Sequence, residues 1–363
     1  MFNKIFNKKK IIVTGHTGFK GSWLTLWLLS LGANVCGLSL KPNTTPSHFE
    51  LLNIKNKILH QIIDIRNYNK VNKIIREYKP DYIFHLAAQS LVNQAYIDPL
   101  NTFETNVLGT TNILESLRNL DKKCVAVIIT SDKCYYNLEW KRGYKENDIL
   151  GGDEPYGSSK AATEIILNAY IKTFFKNNQK IKIGIGRAGN VIGGGDWSNN
   201  RIIPDCVMAW KKNLELKIRN PKSTRPWQFV LEPLSGYLSL AEHLTKKGVI
   251  NGEPFNFGPN NYDKTVFQLI KAVSKNLLEL KIKIVKNNKQ SFKESSLLKL
   301  NCEKAKRQMK WQSALNFEQT ANLTSQWYYD FYTKKYNTYD LSLNAINQYT
   351  KIAKDKGIIW AKK

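Results

Sequence analysis

The chain has 363 residues, enough for one large core or two closely packed domains, and no Pro/Gly/Ser-rich linker divides it. Its net charge of +26 would suit nucleic-acid binding, but the lysines are scattered along the whole chain, which indicates solvated surfaces and predicts no nucleic-acid partner. Five cysteines without a CxxC pair and the lack of a signal peptide predict a cytoplasmic protein, and the most apolar stretch, residues 23–31, is too short to span a membrane.

Apolar, β-rich runs alternate with helical patterns through the first half of the chain, which predicts βαβ units and a Rossmann-like, doubly wound parallel sheet. After about Arg187 the pattern changes to Gly/Asn/Pro-rich turns, which predicts a smaller C-terminal α/β domain. We expect residues 1–187 to form a dinucleotide-binding domain with a return segment near 226–256, and residues 188–363 to bind mainly substrate. The predicted strands are Ile11–Thr14, Asn34–Leu38, Gln61–Asp64, Tyr82–Leu86, Val125–Thr130 and Ile181–Arg187.

A glycine-rich segment, VTGHTGFKGSW, follows the first strand and opens a helical pattern. Its three glycines are each separated by two residues, in the context that a dinucleotide fingerprint requires. Glycine permits the tight turn and the close approach of a pyrophosphate, and the amides of the helix start point at its charge. The predicted cofactor-binding residues of this segment are Gly15, Thr17, Gly18, Phe19 and Lys20.

The second strand ends at Leu38-Ser39-Leu40-Lys41 and carries no Asp or Glu there. An acidic residue at this position usually holds the ribose 2′-hydroxyl of NAD, whereas a basic residue suits the 2′-phosphate of NADP. Lys41 therefore favours the phosphate, and this strand end leaves the choice between NAD and NADP open.

Two later segments carry reactive groups. TSDKCYYNLEW places a hydroxyl, an acid and an amine directly after the fifth strand, and EPYGSSKAATE places Tyr156 and Lys160 one helical turn apart. A phenol with a pKa near ~10 is a poor base at neutral pH, but an adjacent ammonium and a positive nicotinamide ring favour phenolate. Tyr156 is then able to deprotonate a substrate hydroxyl while hydride leaves its carbon.

Together these segments resemble the extended short-chain dehydrogenase/reductases, and among them the nucleotide-sugar 4,6-dehydratases. The resemblance runs from the glycine turn to about Tyr328. It is most specific in VTGHTGFKGSW, TSDKCY, PYGSSKAATE, AGNVIGGGDW and RPWQFVLEPLSGYL. Most such dehydratases have Asp-Glu after the serine, whereas the Asp132-Lys133 pair is similar to the CDP-glucose branch. The resemblance implies an NAD-dependent hydro-lyase acting on CDP-glucose or a related nucleotide sugar.

The resemblance also implies roles for the residues after the fifth strand. Ser131 would hydrogen-bond the reacting oxygen, and Asp132 and Lys133 would supply an acid at C6 and a base at C5, because oxidation at C4 is only the first step. Burial must then keep Asp132 protonated and Lys133 neutral, and an ion pair between the two would oppose both. Adjacent residues of a strand point to opposite faces, so we predict irregular backbone at Asp132.

Further contacts follow from the resemblance alone. The implied cofactor contacts are Asp64, Ile65, Leu86, Ala87 and Ala88, beside Tyr156 and Lys160. The implied substrate contacts are Gln89, Asn190, Arg201 and Arg225. Arginine suits a substrate pyrophosphate because its donors are bidentate. The implied cofactor is NAD, with NADP left open, and it is regenerated each turnover because the hydride taken from C4 returns at C6. No metal site is predicted.

The family commonly pairs through two helices of each subunit, and the segments around Asp98–Arg118 and Tyr156–Phe175 are the candidates here. This implies a homodimer, with a tetramer left open. Two other functions stay open. A nucleotide-sugar 4-epimerase, or a dehydratase acting on another nucleotide hexose, would share most motifs, although an epimerase needs no acid and base after Ser131. A non-catalytic nucleic-acid-binding or regulatory protein on a Rossmann scaffold would have no need for Tyr156 and Lys160.

Overall fold

The computed structural model describes residues 1–246, 250–259, 263–285 and 297–362. Its strands are β1 (Lys10–Thr14), β2 (Asn34–Ser39), β3 (Leu59–Ile62), β4 (Tyr82–His85), β5 (Cys124–Ile129), β6 (Ile181–Ala188), β7 (Val191–Ile192), β8 (Leu216–Ile218), β9 (Thr224–Pro226), β10 (Gln228–Phe229), β11 (Pro254–Phe257), β12 (Asp263–Thr265) and β13 (Ile282–Ile284). Seven of them form one sheet in the order β11-β6-β5-β4-β1-β2-β3. Every neighbouring pair in it is parallel, so the predicted doubly wound sheet is confirmed.

Helices cover both faces of this sheet. The α-helices of the described residues are α1 (Phe19–Ser30), α2 (His48–Leu52), α3 (Tyr68–Tyr78), α4 (Val92–Ile97), α5 (Pro99–Phe103), α6 (Gly109–Arg118), α7 (Pro155–Tyr170), α8 (Ile202–Lys211), α9 (Leu231–Lys246), α10 (Val266–Val273), α11 (Glu303–Met309), α12 (Phe317–Tyr329), α13 (Thr338–Asp355) and α14 (Ile359–Lys362). Within the described ranges, no helix combines the length and apolar composition needed to cross a bilayer.

The strand pattern explains why the sheet has a core on each face. In β1, Ile11 and Val13 pack into the core beneath α1 and α9, whereas Ile12 packs into the core beneath α3, α6 and α7. Successive strand residues point to opposite faces, so a nearly continuous apolar run serves both cores. The runs that predicted the strands are therefore typical of a sheet buried on both sides.

The third strand lies two residues earlier than predicted. It spans Leu59–Ile62 rather than Gln61–Asp64, so Asp64 lies beyond its end. β3 is an edge strand, and Leu59 and Ile62 are both largely exposed. Because burial does not select the register of an exposed edge strand, the apolar run that follows was a misleading guide to its bounds.

The chain returns to the main sheet late. β11 pairs with β6, and α9 packs against β5 and β6. The remaining short strands form three separate pairs, β7 with β10, β8 with β13 and β9 with β12. Beyond them, α13 packs on α1 and α2, and Phe2 at the N-terminus stacks on Trp360 with ring centroids 5.0 Å apart.

Candidate active site

The glycine turn joins β1 to α1 and depends on backbone contacts. Gly15 has a φ of +75°, and a Cβ there would lie 2.8 Å from the amide nitrogen of Ala87. A Cβ on Gly21 would lie 2.0 Å from the Gly15 carbonyl oxygen. A Cβ on Gly18, in contrast, would meet only that oxygen, at 3.3 Å. No side-chain hydrogen bond caps the start of α1, which fits a site where a pyrophosphate accepts hydrogen bonds from its first amides.

The end of β2 packs against this turn through hydroxyl groups. Thr17 Oγ1 lies 2.7 Å from Ser39 Oγ and donates to the Leu40 carbonyl at 3.0 Å. Lys41 follows and is exposed. The predicted residues Phe19 and Lys20 begin α1 beside this contact. These hydrogen bonds attach the end of β2 to the glycine turn, and no carboxylate takes part in them.

Asp64, one of the implied cofactor contacts, forms an ion pair within the protein. Arg66 Nη2 lies 2.7 Å from Asp64 Oδ2, and Arg66 also pairs with Glu104. The hydrogen bonds from Arg66 lower the pKa of the Asp64 carboxyl. The neighbouring Ile65 accepts a 3.0 Å hydrogen bond from Asn112 through its carbonyl. Asp64 is therefore a charged carboxylate held in one orientation.

The loop after β4 is held from two sides. The Ala87 amide donates to Thr14 Oγ1 at 3.1 Å, which ties Leu86-Ala87-Ala88 to the end of β1. Gln89 donates through Nε2 to Thr102 Oγ1 at 2.9 Å and accepts from the Leu91 amide at 2.7 Å. Both ends of the Gln89 side chain are therefore engaged inside the protein, where they shape this loop.

The predicted irregular backbone at Asp132 is confirmed. β5 ends at Ile129, and a single 3-10 turn covers Asp132–Cys134. The Ser131 hydroxyl donates to Asp132 Oδ1 at 2.9 Å and accepts from the Lys133 amide at 3.2 Å. A Cβ on Gly189 would lie 2.7 Å from Asp132 Oδ2, so the carboxyl rests against bare backbone. Burial raises the pKa of Asp132, which favours the protonated acid.

Lys133 faces the carboxylate of Glu154 rather than that of Asp132. Its Nζ lies 3.9 Å from Glu154 Oε1, and its side chain is 28% exposed. Among the described residues, the ion pairs include none between Asp132 and Lys133. Glu154 also accepts from the Tyr156 and Gly157 amides, both at 2.8 Å, and so caps α7. The ion pair that would oppose both roles is therefore absent between Asp132 and Lys133, but the burial that the role of Lys133 requires is not found, since its side chain is partly exposed and lies near a carboxylate.

Tyr156 and Lys160 lie in the first turns of α7, and both are buried. Burial raises the pKa of Tyr156 to about 12, although its hydrogen bond with Ser131 acts in the opposite direction. Burial lowers the pKa of Lys160 to about 8. The sequence predicted that the adjacent ammonium would favour phenolate; in the structure, desolvation of the phenol is the larger effect, because the hydroxyl lies deep in the protein.

The predicted substrate residues lie on elements beyond β6. Asn190 follows the strand and is exposed. Arg201 precedes α8, and its Nη1 donates to Asp196 Oδ2 at 3.1 Å. Its charge acts on both Tyr156 and Lys20, so it lies on the same side of the molecule as these two residues. Arg225 lies in β9 and donates to the carbonyl of its neighbour Thr224 at 2.8 Å.

Comparison with known proteins places the chain in a family. The sequence model described as GDP-mannose 4,6 dehydratase matches residues 12–324. The chain belongs to this family. It is 41% identical to the CDP-glucose 4,6-dehydratase of Salmonella typhimurium over 324 residues, which are 88% of this chain and 90% of that protein. The resemblance to the CDP-glucose branch of the family is thus confirmed.

Solved structures agree on the fold of this GDP-mannose 4,6 dehydratase family member. An epimerase from Methanothermobacter thermautotrophicus superposes with a TM-score of 0.78 at 22% identity, over 91% of this chain and 95% of that one. A dTDP-glucose 4,6-dehydratase from Bacillus anthracis, in complex with NAD, superposes with a TM-score of 0.73 at 24% identity, over 90% and 98%. Because dehydratases and epimerases share this fold, the residues of the site must separate the two activities.

A buried ion pair that the sequence did not suggest supports the site in this family member. Arg187 and Glu164 are joined by two 2.8 Å hydrogen bonds, and both side chains are 3% exposed. Thr130 donates to the same carboxylate, and Arg187 Nη1 donates to the Tyr135 hydroxyl at 2.7 Å. This network connects the end of β5 and α7 with the turn of residues 131–134, which we call the catalytic turn because of the roles that the resemblance implies for it. Only the position of Glu164, one turn after Lys160, could have drawn attention to it.

Among the described residues there is no cluster of three or more His, Cys, Asp or Glu side chains suited to a metal ion. The charged groups near the catalytic turn are instead lysines, arginines and carboxyls from separate elements. Acid–base chemistry by side chains is what this arrangement supports.

Proposed function

We propose that the chain is a nucleotide-sugar 4,6-dehydratase that converts CDP-glucose to CDP-4-dehydro-6-deoxy-glucose. One observation carries the proposal. The Ser131 hydroxyl donates to Asp132, a buried carboxyl with a raised pKa, and its hydrogen bond with Tyr156, the base for oxidation, acts to lower the pKa of that phenol, so groups for oxidation and for elimination meet at Ser131. The 41% identity to the Salmonella enzyme supports the choice of nucleotide.

The glycine turn is the proposed site of NAD. The fit rests on the uncapped start of α1 and on Gly15 and Gly21, where the close backbone leaves no room for a Cβ. When bound there, NAD would supply the acceptor and later the donor of the hydride that moves from C4 to C6, and its positive ring would favour the Tyr156 phenolate. Tyr156 removes the proton of the C4 hydroxyl, Ser131 holds that oxygen, and Lys160 lies one helical turn from Tyr156 on the same helix.

Asp132 and Lys133 carry out the elimination. A ketone at C4 acidifies the C5 hydrogen, so Lys133 removes this proton as a neutral amine. Asp132 gives its proton to the C6 hydroxyl, which leaves as water. The raised pKa of Asp132 supports this role, because only a protonated carboxyl is an acid.

Substrate recognition is assigned to the C-terminal part. We place the nucleotide-sugar pyrophosphate near Asn190, Arg201 and Arg225. We place the cofactor on residues 1–187, together with the later segment that rejoins the main sheet through α9 and β11. Arg201 supports this division because its charge reaches Tyr156. The described cysteines are free thiols, which supports the reducing, cytoplasmic compartment where nucleotide sugars are made.

A homodimer through α5–α6 and α7 completes the proposal. Large apolar side chains are exposed on these two helical segments, including Leu100 at 69% and Ile165 at 61%. An exposed apolar surface of this kind is typical of an interface between copies. Leu100→Lys with Ile165→Lys should give monomers in analytical ultracentrifugation. Ile284→Lys, at an equally exposed position on β13, is the matched control and should leave the dimer intact.

The function is tested with purified protein, NAD and a panel of nucleotide hexoses. Loss of one water from CDP-glucose, measured by mass spectrometry, is the expected result. An epimerase would instead give an isomer of unchanged mass, and water loss only from another nucleotide sugar would correct the choice of base. If no sugar in the panel loses water, the dehydratase proposal is wrong.

A further inference from the structure

The amine of Lys133 lies beside a carboxylate that is fixed in place. Glu154 precedes α7, and its two oxygens accept hydrogen bonds from the Tyr156 and Gly157 amides, both at 2.8 Å. Its side chain is 11% exposed, and its Oε1 lies 3.9 Å from Lys133 Nζ. Because the two amides hold the carboxylate, Glu154 is a fixed negative charge beside a lysine side chain that has several rotatable bonds.

The backbone of Lys133 is attached to the same helix. A Cβ on Gly157 would lie 2.9 Å from the Lys133 carbonyl oxygen and 3.1 Å from Glu154 Oε1, so α7 packs directly on the catalytic turn at this point. The Cys134 carbonyl accepts a 2.9 Å hydrogen bond from the Gly151 amide, which ties the turn to the segment that leads into α7. Backbone contacts therefore fix where the lysine side chain begins and where the carboxylate lies.

The distance between the two charges leaves the amine available. A charge-assisted hydrogen bond from an ammonium to a carboxylate is about 2.7–2.9 Å long, whereas Lys133 Nζ lies 3.9 Å from Glu154 Oε1. The carboxylate thus attracts the ammonium by charge, without a direct hydrogen bond. The Lys133 side chain is 28% exposed, so its amine is accessible to a ligand or a reagent.

The charge of Glu154 reaches three elements of the site. Burial raises the pKa of Tyr96 in α4, and the charges of Glu154 and Asp153 raise it further. Burial also raises the pKa of Tyr156 in α7, and Glu154 acts in the same direction. In the catalytic turn, the charge of Lys133 acts on its neighbour Asp132. The titratable and charged groups around the pair are therefore Tyr96, Asp132, Asp153 and Tyr156.

We propose that Glu154 is a positioning residue for Lys133: its fixed charge holds the amine beside the start of α7 and sets how readily the amine loses its proton. The proposal rests on the dehydratase function, in which Lys133 takes the C5 proton as a neutral amine. A neighbouring carboxylate favours the ammonium, so fewer molecules carry the neutral amine at neutral pH, but each neutral amine is a stronger base. Water loss should therefore depend on pH through Glu154, which itself transfers no proton.

The first test removes the charge of Glu154 and keeps its shape. Glu154→Gln retains an oxygen that accepts an amide hydrogen bond at the start of α7. Acetic anhydride acylates neutral amines, so trace labelling followed by peptide mass spectrometry compares the neutral fraction of Lys133 with that of the exposed Lys41. At neutral pH the labelling of Lys133 should rise about 10-fold in this variant, because a nearby negative charge has been removed. Glu154→Asp, which keeps the charge, should label like the wild type.

The second test separates the two reaction steps. Rapid-quench mass spectrometry with CDP-glucose distinguishes the 4-keto hexose, which has lost two hydrogens, from the product, which has lost water. In Glu154→Gln the pH midpoint of water loss should move about one unit lower. The pH midpoint of C4 oxidation should move less, because burial and Asp132 act on Tyr156 more strongly than Glu154 does.

Asp81→Asn is the matched control. Asp81 also accepts a backbone amide, from Lys10 at 2.9 Å, and also pairs with a lysine, Lys122, at 2.9 Å. It precedes β4, which runs parallel to β5, so it lies at the opposite end of the sheet from the catalytic turn. This variant should raise the labelling of Lys122 and leave both Lys133 and the two reaction steps unchanged.

Two results would overturn the role of Glu154. They are unchanged labelling of Lys133 in Glu154→Gln, and equal shifts of the two pH midpoints. If the wild type loses no water from any sugar, the dehydratase function fails, whereas the labelling still decides whether Glu154 controls the charge of Lys133.

Discussion

The glycine turn and the catalytic turn follow strands β1 and β5 of one parallel sheet, yet they are built on different physical principles. At the glycine turn the critical property is the space that is left empty. A Cβ on Gly21 would lie 2.0 Å from a carbonyl oxygen, and no side chain caps α1. At the catalytic turn, and at the start of α7 that packs on it, the critical property is the charge state of side chains. Burial raises the pKa of Asp132 in the turn and of Tyr156 in α7.

The comparison separates two kinds of sensitivity. A site made from backbone is disrupted by added atoms, whatever their charge. A site made from buried titratable groups tolerates isosteric changes in packing but loses its chemistry when one proton is no longer available. The following predictions test this difference, from the largest expected effect to the smallest.

Tyr156→Phe removes the proposed base and leaves the ring in place. We expect product formation to fall about 10³-fold or more, within the range of general base catalysis. Thermal unfolding should shift by only a few degrees. Loss of the folded state would point to a structural role for the hydroxyl, and wild-type turnover would exclude Tyr156 as the base.

Asp132→Asn keeps the size of the side chain and removes the acidic proton. Water elimination should fall about 10²-fold or more, whereas oxidation at C4 should proceed, because Tyr156 is unchanged. Mass spectrometry of the quenched sugar separates the two steps. Equal loss of both steps would contradict an assignment of Asp132 to elimination alone.

The pair Gly21→Ala and Gly18→Ala tests the glycine turn. The first variant forces a Cβ against the Gly15 carbonyl at 2.0 Å and should lower the free energy of unfolding by roughly 2 kcal/mol or more. The second places a methyl group 3.3 Å from the same oxygen, a tight contact that a shift of a few tenths of an ångström relieves, and should weaken NAD binding with a smaller loss of stability. Urea unfolding and NAD titration measure the two effects. Equal stability of both variants would refute the steric argument.

The pH dependence of stability tests the burial of Lys160. Its pKa falls from 10.5 to about 8 on folding, so between these values the unfolded chain binds one more proton. Stability should therefore rise with pH across this window, by roughly 3 kcal/mol from this residue. Lys160→Met should reduce the slope of unfolding free energy against pH. An unchanged slope would show that Lys160 does not titrate there, and Lys41→Met, at an exposed position, is the control.

The smallest effect is expected at Lys41. It follows β2 where NADP would carry its extra phosphate, but it is exposed, so its attraction is screened. Lys41→Ala should weaken NADP binding about threefold and leave NAD binding unchanged. Titrations with NAD and NADP measure the two affinities. An equal loss of affinity for both cofactors would mean that Lys41 contacts a part of the cofactor that both share.

Local patterns predicted much of the architecture. The continuous apolar runs of β1 and β5, the glycine spacing and the distance from Tyr156 to Lys160 all have direct structural consequences. The exposed edge strand β3 was misplaced, because its residues carry no burial signal. The sequence predicted that phenolate is favoured at Tyr156, whereas burial raises the pKa of this phenol. The difference arises because desolvation depends on neighbours far along the chain.

By itself, the sequence determined the order of strands and helices, the turn that only glycine can form, and the presence of an acid, an amine, a phenol and a lysine at fixed spacings. Those features depend on a few adjacent residues. Only the tertiary structure decided that Asp132 is buried without pairing with Lys133, that Arg187 and Glu164 meet, and that Lys133 faces Glu154. Charge states and hydrogen-bond partners depend on groups brought together through space, and no local pattern specifies them.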